Sequence, residues 1–368
     1  MKIPFVDLKA QYSSIKNEID TAIRMVIEET AFIKGKYVKQ FEDKFSKIYN
    51  TSNFIGCANG TDAIFLVLKA LGISKGDEVI TVANTWISSS ETITMAGAKV
   101  VFEDINRDSY LIDLDKLEKK INKNTKAIIF VHLYGNPINM DKASDICRRN
   151  NIYMIEDCAQ AHFAEWRGNL IGKFGIAGTF SFFPGKNLGA YGDAGGIITD
   201  DNRLARDIRL LANHGSLDKK NHLIEGLNSR LDGIQASILS VKLDYIHEWT
   251  NKRILNAKYY IQQLSSIKEI ELPKIRKKTK HVFHLFVIRA LKRDELKIYL
   301  ETNGIQTGIH YPTPLPFLEA YKYLNHSKID FPIVYDSQKN ILSLPMYPEL
   351  TFEKIDYIVD SIKSFYKK

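Results

Sequence analysis

Short runs rich in valine and isoleucine, spaced by segments of helical periodicity, constrain this chain more than any other feature of its 368 residues. They fall at 78–82 (EVITV), 98–102 (AKVVF), 126–131 (KAIIFV) and 152–156 (IYMIE). Helix-like stretches lie between them at 86–96, 113–121 and 141–150. Continuous apolar strands alternating with helices predict an α/β fold with a mostly parallel sheet covered on both faces.

The pattern extends on both sides. Ile15, Ile19, Ile23, Val26 and Ile27 mark one face of a helix over 14–28, and TDAIFLVLKAL predicts another over 61–71. Strands are expected at 178–183, 195–199 and 282–288, and helices at 202–213, 233–262, 293–303 and 351–366. The character of the sequence changes after about residue 265. This leads to an expected large α/β domain over 1–250 and a smaller C-terminal α+β domain over 251–368, without internal repeats.

Composition narrows the function classes. With 45% hydrophobic and 26% charged residues, the chain is neither disordered, collagen-like nor a disulfide scaffold. A chain of this length buries a core without metal or disulfide staples. Net charge is +8, and the densest basic run, KIRKKTK at 274–280, reads as a solvated loop. No interleaved aromatics or recognised module accompany it, so no nucleic-acid partner is expected. Cys57, Cys147 and Cys158 form no CxxC pair, which argues against a disulfide framework or zinc site and for cytoplasmic residence. The opening MKIPFVDLKAQYSS lacks an apolar core of signal-peptide length, and no apolar run approaches the ~20 residues of a membrane span. No membrane partner is expected.

Several residues could carry chemistry. Asp157 follows the strand-like IYMIE, where open α/β sheets bind ligands; a helix cap or loop carboxylate reads equally well. The segment 181–196, SFFPGKNLGAYGDAGG, places Lys186 in a glycine-rich loop. Such a lysine binds phosphate or reacts as an amine, or is simply solvated on a flexible surface loop. Neither GK[ST] nor GxGxxG occurs, so a phosphate-loop or dinucleotide fold has little support. Asn59-Gly60-Thr61-Asp62-Ala63 opens a predicted helix whose N–H groups suit a phosphate, although Thr61 or Asp62 would also serve as a plain cap. Trp86 follows a strand and could stack on a planar ring. Together, a phosphate cradle, a stacking aromatic, a strand-end acid and a loop lysine match the needs of pyridoxal 5'-phosphate.

The sequence resembles the DegT/DnrJ/EryC1/StrS family of pyridoxal-phosphate nucleotide-sugar aminotransferases over nearly its whole length. The resemblance is carried by Pro4-Phe5-Val6-Asp7-Leu8, Asn59-Gly60-Thr61-Asp62-Ala63, His132-Leu133-Tyr134-Gly135 and Glu156-Asp157-Cys158-Ala159-Gln160-Ala161-His162. It continues through Phe180-Ser181-Phe182-Phe183-Pro184-Gly185-Lys186-Asn187-Leu188-Gly189, Asn228-Ser229-Arg230-Leu231-Asp232 and Ile309-His310-Tyr311-Pro312. It implies the fold type I, aspartate aminotransferase-like architecture. Lys186 is then expected to form the Schiff base with the cofactor aldehyde, and Asp157 to pair with the pyridine nitrogen. Gln160 should bond the ring hydroxyl, Trp86 stack on the ring, and Gly60, Thr61 and Ser181 hold the phosphate. Asn228 should reach the phosphate of a neighbouring subunit, making the active unit a homodimer with shared sites.

Substrate contacts are expected from Lys219, Lys220, His310 and Tyr311 near the diphosphate, and from His214 near the sugar; exposed loop lysines and a structural histidine are the plainer readings. Cys158 and Phe163 stand where the family often has Ala and Gly, and Pro316 and Leu318 where it commonly has His and Gln. A related dehydratase subgroup carries histidine at the lysine position, so Lys186 favours amino transfer over dehydration. The expected reaction moves an amino group from L-glutamate to a keto-deoxy sugar linked to dTDP, with UDP and GDP behind it. The slight preference is for C3 over C4, for surface glycan or amino-sugar biosynthesis. A ketocyclitol acceptor is the alternative within enzymes, and a non-catalytic binding or regulatory protein is the alternative outside them.

Overall fold

The computed structural model describes residues 1–218 and 220–367. Its centre is a seven-stranded sheet. The strands are β1 (Asn53–Cys57), β2 (Glu78–Val82), β3 (Lys99–Glu103), β4 (Thr125–Val131), β5 (Tyr153–Asp157), β6 (Ala177–Ser181) and β7 (Gly195–Thr199). Their spatial order is β1-β7-β6-β5-β4-β2-β3, and only β7 runs against the others. Every residue of β2 and β7 is buried, as a sheet covered on both faces requires. Gly196 makes the antiparallel insertion of β7 possible, because a Cβ there would sit 2.1 Å from the Phe54 ring on β1.

A smaller antiparallel sheet joins β8 (Ile270–Glu271), β9 (Phe286–Ala290) and β10 (Ile341–Leu344) in that order. The helices Arg293–Thr302 and Phe352–Tyr366 bury Leu296, Leu300, Ile355 and Ile358 against it in a second core cluster. The helix Gly233–Leu264 runs through both clusters. Leu239, Leu243 and Ile246 enter the first and Ala257, Tyr260 and Leu264 the second. The chain crosses between clusters more than once: Ile3 joins the second through a bridge to Ile305, and Val282, Leu285 and Phe331 join the first.

Observed elements differ from the sequence reading in instructive places. The segment 113–121 forms only a short turn, Leu117–Lys120, in which Leu117 is buried while Leu114 and Ile121 lie half-buried against the core. The helix expected over 14–28 is two helices, Leu8–Ser14 and Lys16–Glu28, interrupted at Ile15. Unforeseen were β1, with its short NFIGC, and the helix Lys36–Tyr49, whose Tyr37, Phe41, Phe45 and Tyr49 line one face. The strand expected over 282–288 begins at Phe286. Before it, the Phe283 and His284 carbonyls accept from Arg253 Nη1 (3.4 and 3.5 Å) instead of pairing in a sheet.

Phe45 sits at the middle of an aromatic cluster under the end of β6. Its ring lies 4.6 Å from Tyr49, 4.5 Å from Phe54, 5.2 Å from Phe180 and 5.8 Å from Phe182. Phe180 and Phe182 flank Ser181, so this packing sets where β6 ends. Phe45→Ala is expected to cost about 3–5 kcal/mol in urea-unfolding free energy. A loss under about 1 kcal/mol would show that the cluster collapses around the gap.

Candidate active site

The parallel strands deliver their carboxyl ends to one cavity of about 500 Å³. Val131 reaches it from β4, Asp157 from β5, and Thr179, Phe180 and Ser181 from β6. Ligands bind at this edge of open α/β sheets, and the volume suits a small molecule.

Asp157 is the last residue of β5 and is buried. Its Oδ2 accepts from Ser89 Oγ (2.9 Å) and its Oδ1 from the Ala159 N–H (3.1 Å). Two donors hold the carboxylate in one orientation, facing the cavity.

The helix Gly60–Ala70 points its N-terminus into the same space. Asn59 caps it, its side chain accepting from the Asp62 N–H (2.8 Å), while the Asn59 carbonyl accepts from Ala63 (3.1 Å). The first-turn N–H groups of Gly60 and Thr61 are those left for a ligand. Gly60 must be small, since a Cβ would lie 2.6 Å from that of Ser181. Thr61 Oγ1 meets Ser88 Oγ at 2.6 Å, joining the starts of two helices beside the cavity.

Lys186 lines the cavity from a tight loop in which its own N–H bonds the Phe183 carbonyl (2.8 Å). Burial pushes its ammonium down to about 8, against the opposing pull of the Asp157 carboxylate. Its neighbour Asn187 donates from Nδ2 to the Val282 carbonyl (3.3 Å), so its Oδ1 accepts from His284 Nδ1 (3.1 Å). That pairing fixes the His284 tautomer and leaves Nε2 as a lone pair.

Gln160 is spanned by Tyr134 N–H donating to Oε1 (2.7 Å) and its own Nε2 donating to the Tyr311 hydroxyl (2.9 Å). Tyr311 lies 5.9 Å from Trp86, which is 59% exposed at the cavity mouth. His310 stacks 5.6 Å from Phe5, and its Nδ1 pairs with Ser343 Oγ (2.8 Å). Burial and Lys186 lower the His310 imidazole to about 4, and the same two causes hold His284 well below its usual range. Both are neutral near pH 7.

The structure thus gathers Gly60, Thr61, Trp86, Asp157, Gln160, Ser181, Lys186, His310 and Tyr311 around one space. Asn228 and His214 are elsewhere: both are exposed, on a loop where Asn228 bridges Asn213. Lys219 lies outside the described residues, and Lys220 is exposed beside Asp218. Sequence reasoning missed Ser89, Asp193 and His284 as lining residues. The Ser88-Ser89-Ser90 run opening a helix after β2 was a readable signal for Ser89; nothing local marks His284.

A different trio, His132, Glu156 and Cys158, brings potential metal-ligand atoms within 4.8 Å of one another. Hydrogen bonds already occupy it. Glu156 accepts from the N–H groups of Gly172 (2.6 Å), Phe174 (2.7 Å) and Gly175 (2.9 Å). His132 Nδ1 accepts from Ile138 (3.1 Å), so Nε2 donates to Glu156 (3.1 Å).

Comparison with known proteins turns this geometry into a family. The profile of the DegT/DnrJ/EryC1/StrS aminotransferase family matches residues 13–363. The chain belongs to that family. It is 42% identical over 100% of its length, and 99% of the relative's, to a protein of Geobacillus stearothermophilus named pleiotropic regulatory protein. It is 40% identical, over 99% of each chain, to dTDP-3-amino-3,6-dideoxy-alpha-D-galactopyranose transaminase of Aneurinibacillus thermoaerophilus. The crystal structure of S. venezuelae DesV in complex with a ketimine intermediate superposes with a TM-score of 0.97 at 36% identity, covering 100% of this chain and 99% of that one. The fold is that of the family's aminotransferases. Among the described residues, no helix is long and apolar enough to cross a membrane.

Lys186 binds fewer protons folded than unfolded between pH of about 8 and its ordinary value of 10.5. Its burial therefore weakens the cofactor-free protein at neutral pH, and that penalty fades as pH rises through this window. Lys186→Met is expected to raise the melting temperature of the cofactor-free protein at pH 7, with the gain shrinking by pH 10. An unchanged melting curve would show that the ammonium is well solvated.

Proposed function

We propose that the chain is a pyridoxal-phosphate aminotransferase that moves an amino group from L-glutamate to a nucleotide-linked keto-deoxy sugar. The preferred acceptor is a dTDP-linked 3-keto-6-deoxyhexose, with the 4-keto isomer second. The observation carrying this reading is the opening of Lys186, Asp157 and a capped helix N-terminus into one cavity at the strand ends. The sugar transaminase among the relatives supports the acceptor class.

The donor set fits the cofactor. The Gly60–Ser181 approach leaves no room for a Cβ, as a backbone phosphate cradle requires, and an anchored carboxylate lies across the cavity. Pyridoxal phosphate supplies an aldehyde that amines capture and a ring that takes up electrons from a breaking bond. The Gly60 and Thr61 N–H groups and the Ser181 hydroxyl hold the phosphate. Asp157, oriented by Ser89 and Ala159, keeps a proton on the ring nitrogen. Trp86 covers a ring face, and Gln160 bonds the ring hydroxyl.

Lys186 anchors the cofactor and shuttles protons. With its ammonium near 8, about a tenth is free amine at pH 7, far more than for an ordinary lysine. Its Nζ would take the proton from the donor's α-carbon and, in the reverse half, deliver one to the acceptor carbon that was the ketone. Phe5, Ile64 and Val131 limit water at that step.

His310 and Tyr311 are proposed to contact the acceptor, with Lys219 and His214 supplied by the loop of a partner subunit. Asn228 is assigned to the partner site's phosphate. The exposed Leu217, Leu223, Ile224 and Leu227 on that loop support a homodimer, since a monomer leaves them wet. Three buried, unpaired cysteines support cytoplasmic residence. The name of the Geobacillus relative favours a regulatory reading, against which stand both reactive residues in one cavity.

Incubation with pyridoxal phosphate, L-glutamate and the dTDP-3-keto sugar should yield equal amounts of 2-oxoglutarate and amino sugar, read by NMR. Asp157→Ala should lower turnover about 10³-fold or more; near wild-type activity would refute the role of the acid. No product from any nucleotide keto sugar would overturn the reading. Mixed Lys186→Ala and Asn228→Ala subunits should recover part of the wild-type activity. Verified heterodimers without recovery would refute shared sites.

A further inference from the structure

Lys242 is a fully buried lysine, 0% exposed, in the first third of the helix Gly233–Leu264. Its Nζ donates to the Gly189 carbonyl (2.7 Å) and lies 4.1 Å from the centre of the Tyr191 ring. Gln235, seven residues earlier on the same helix face, accepts from the Tyr191 N–H (2.8 Å). One face of a long helix thus grips the backbone at two points just after Lys186.

The gripped loop is closed on itself. The Ala190 N–H bonds the Phe182 carbonyl (2.7 Å). Gly189 lies so close to Pro184 that a Cβ would come within 2.3 Å of the Pro184 carbonyl oxygen. Movement of Gly189 therefore moves Pro184, and Lys186 lies between them. We infer that Lys242 is a positioning residue that holds the Lys186 loop in register through the Gly189 carbonyl and the Tyr191 ring. The inference rests on the catalytic reading of Lys186.

The chemistry of the clamp supports this. A lysine without exposed surface is costly unless something is obtained from its donor. Burial draws its ammonium down to about 7, while Glu349 pulls the other way. Either protonation state keeps an N–H for the carbonyl, so the grip persists across neutral pH. Lys242 reaches no part of the cavity lining itself and acts only through the loop.

The test reads Lys186 in the cofactor-free full chain by trace acetylation with acetic anhydride from pH 6 to 10, resolved by peptide mass spectrometry. A loosened loop admits water and raises the Lys186 midpoint from about 8. Lys242→Met should raise it by half a unit or more, about a threefold loss of free amine at pH 7. Lys242→Arg, which keeps a donor and a charge, should restore the profile. A Lys242→Met profile that overlays wild type overturns the inference, even where its melting temperature falls. Tyr191→Leu, which keeps the amine, decides the matter if Lys242→Met does not fold: the same upward shift supports the clamp, and no shift overturns it. Borohydride reduction of wild-type holoenzyme should leave cofactor mass on the Lys186 peptide. Its absence there would overturn the catalytic reading while leaving the clamp measurement intact.

Discussion

A buried carboxylate one residue from the site holds the architecture together. Glu156 has no exposed surface and accepts from three backbone N–H groups and from His132. A charge taken out of water is tolerated only when its lone pairs are all engaged, as they are here. The donors come from the loop before β6 and the end of β4, so Glu156 ties three neighbouring strands together at one level. Successive strand residues point to opposite faces. With Glu156 turned toward that loop, Asp157 must face the cavity.

Lys186 is held by a comparable division of labour. On one side, Asn187 and His284 link its loop to the segment entering β9. On the other, Gln235 and Lys242 reach it from the long helix. Arg253 continues the second arm, donating to the Met346 carbonyl (2.8 Å) as well as to Phe283 and His284. The helix that contributes to both core clusters therefore also touches both supports of Lys186.

Much of this was legible in the chain. The strand ends, the capped glycine at the start of a helix and the lysine in its glycine-rich loop are local patterns with local causes. Asp157 was readable because strand ends point at ligands in parallel sheets. The failures have equally definite causes. The segment 113–121 has helical spacing, but only Leu117 is fully buried, with Leu114 and Ile121 half-buried beside it. NFIGC opens on a polar Asn and carries a glycine, so it does not declare a strand; it forms one because it pairs residue for residue with β7. His284 acquires meaning only from a neighbour 97 residues away.

The sequence alone determined the alternating α/β plan, the candidate acid and amine, and the family resemblance, because each resides in contiguous residues. Tertiary structure decided the rest. It turned Asp157 to the cavity and Glu156 away from it, set which tautomer His284 adopts, and decided how far burial lowers the Lys186 ammonium. Those properties depend on dielectric surroundings and on donors from distant segments, and neither exists until the chain has closed on itself.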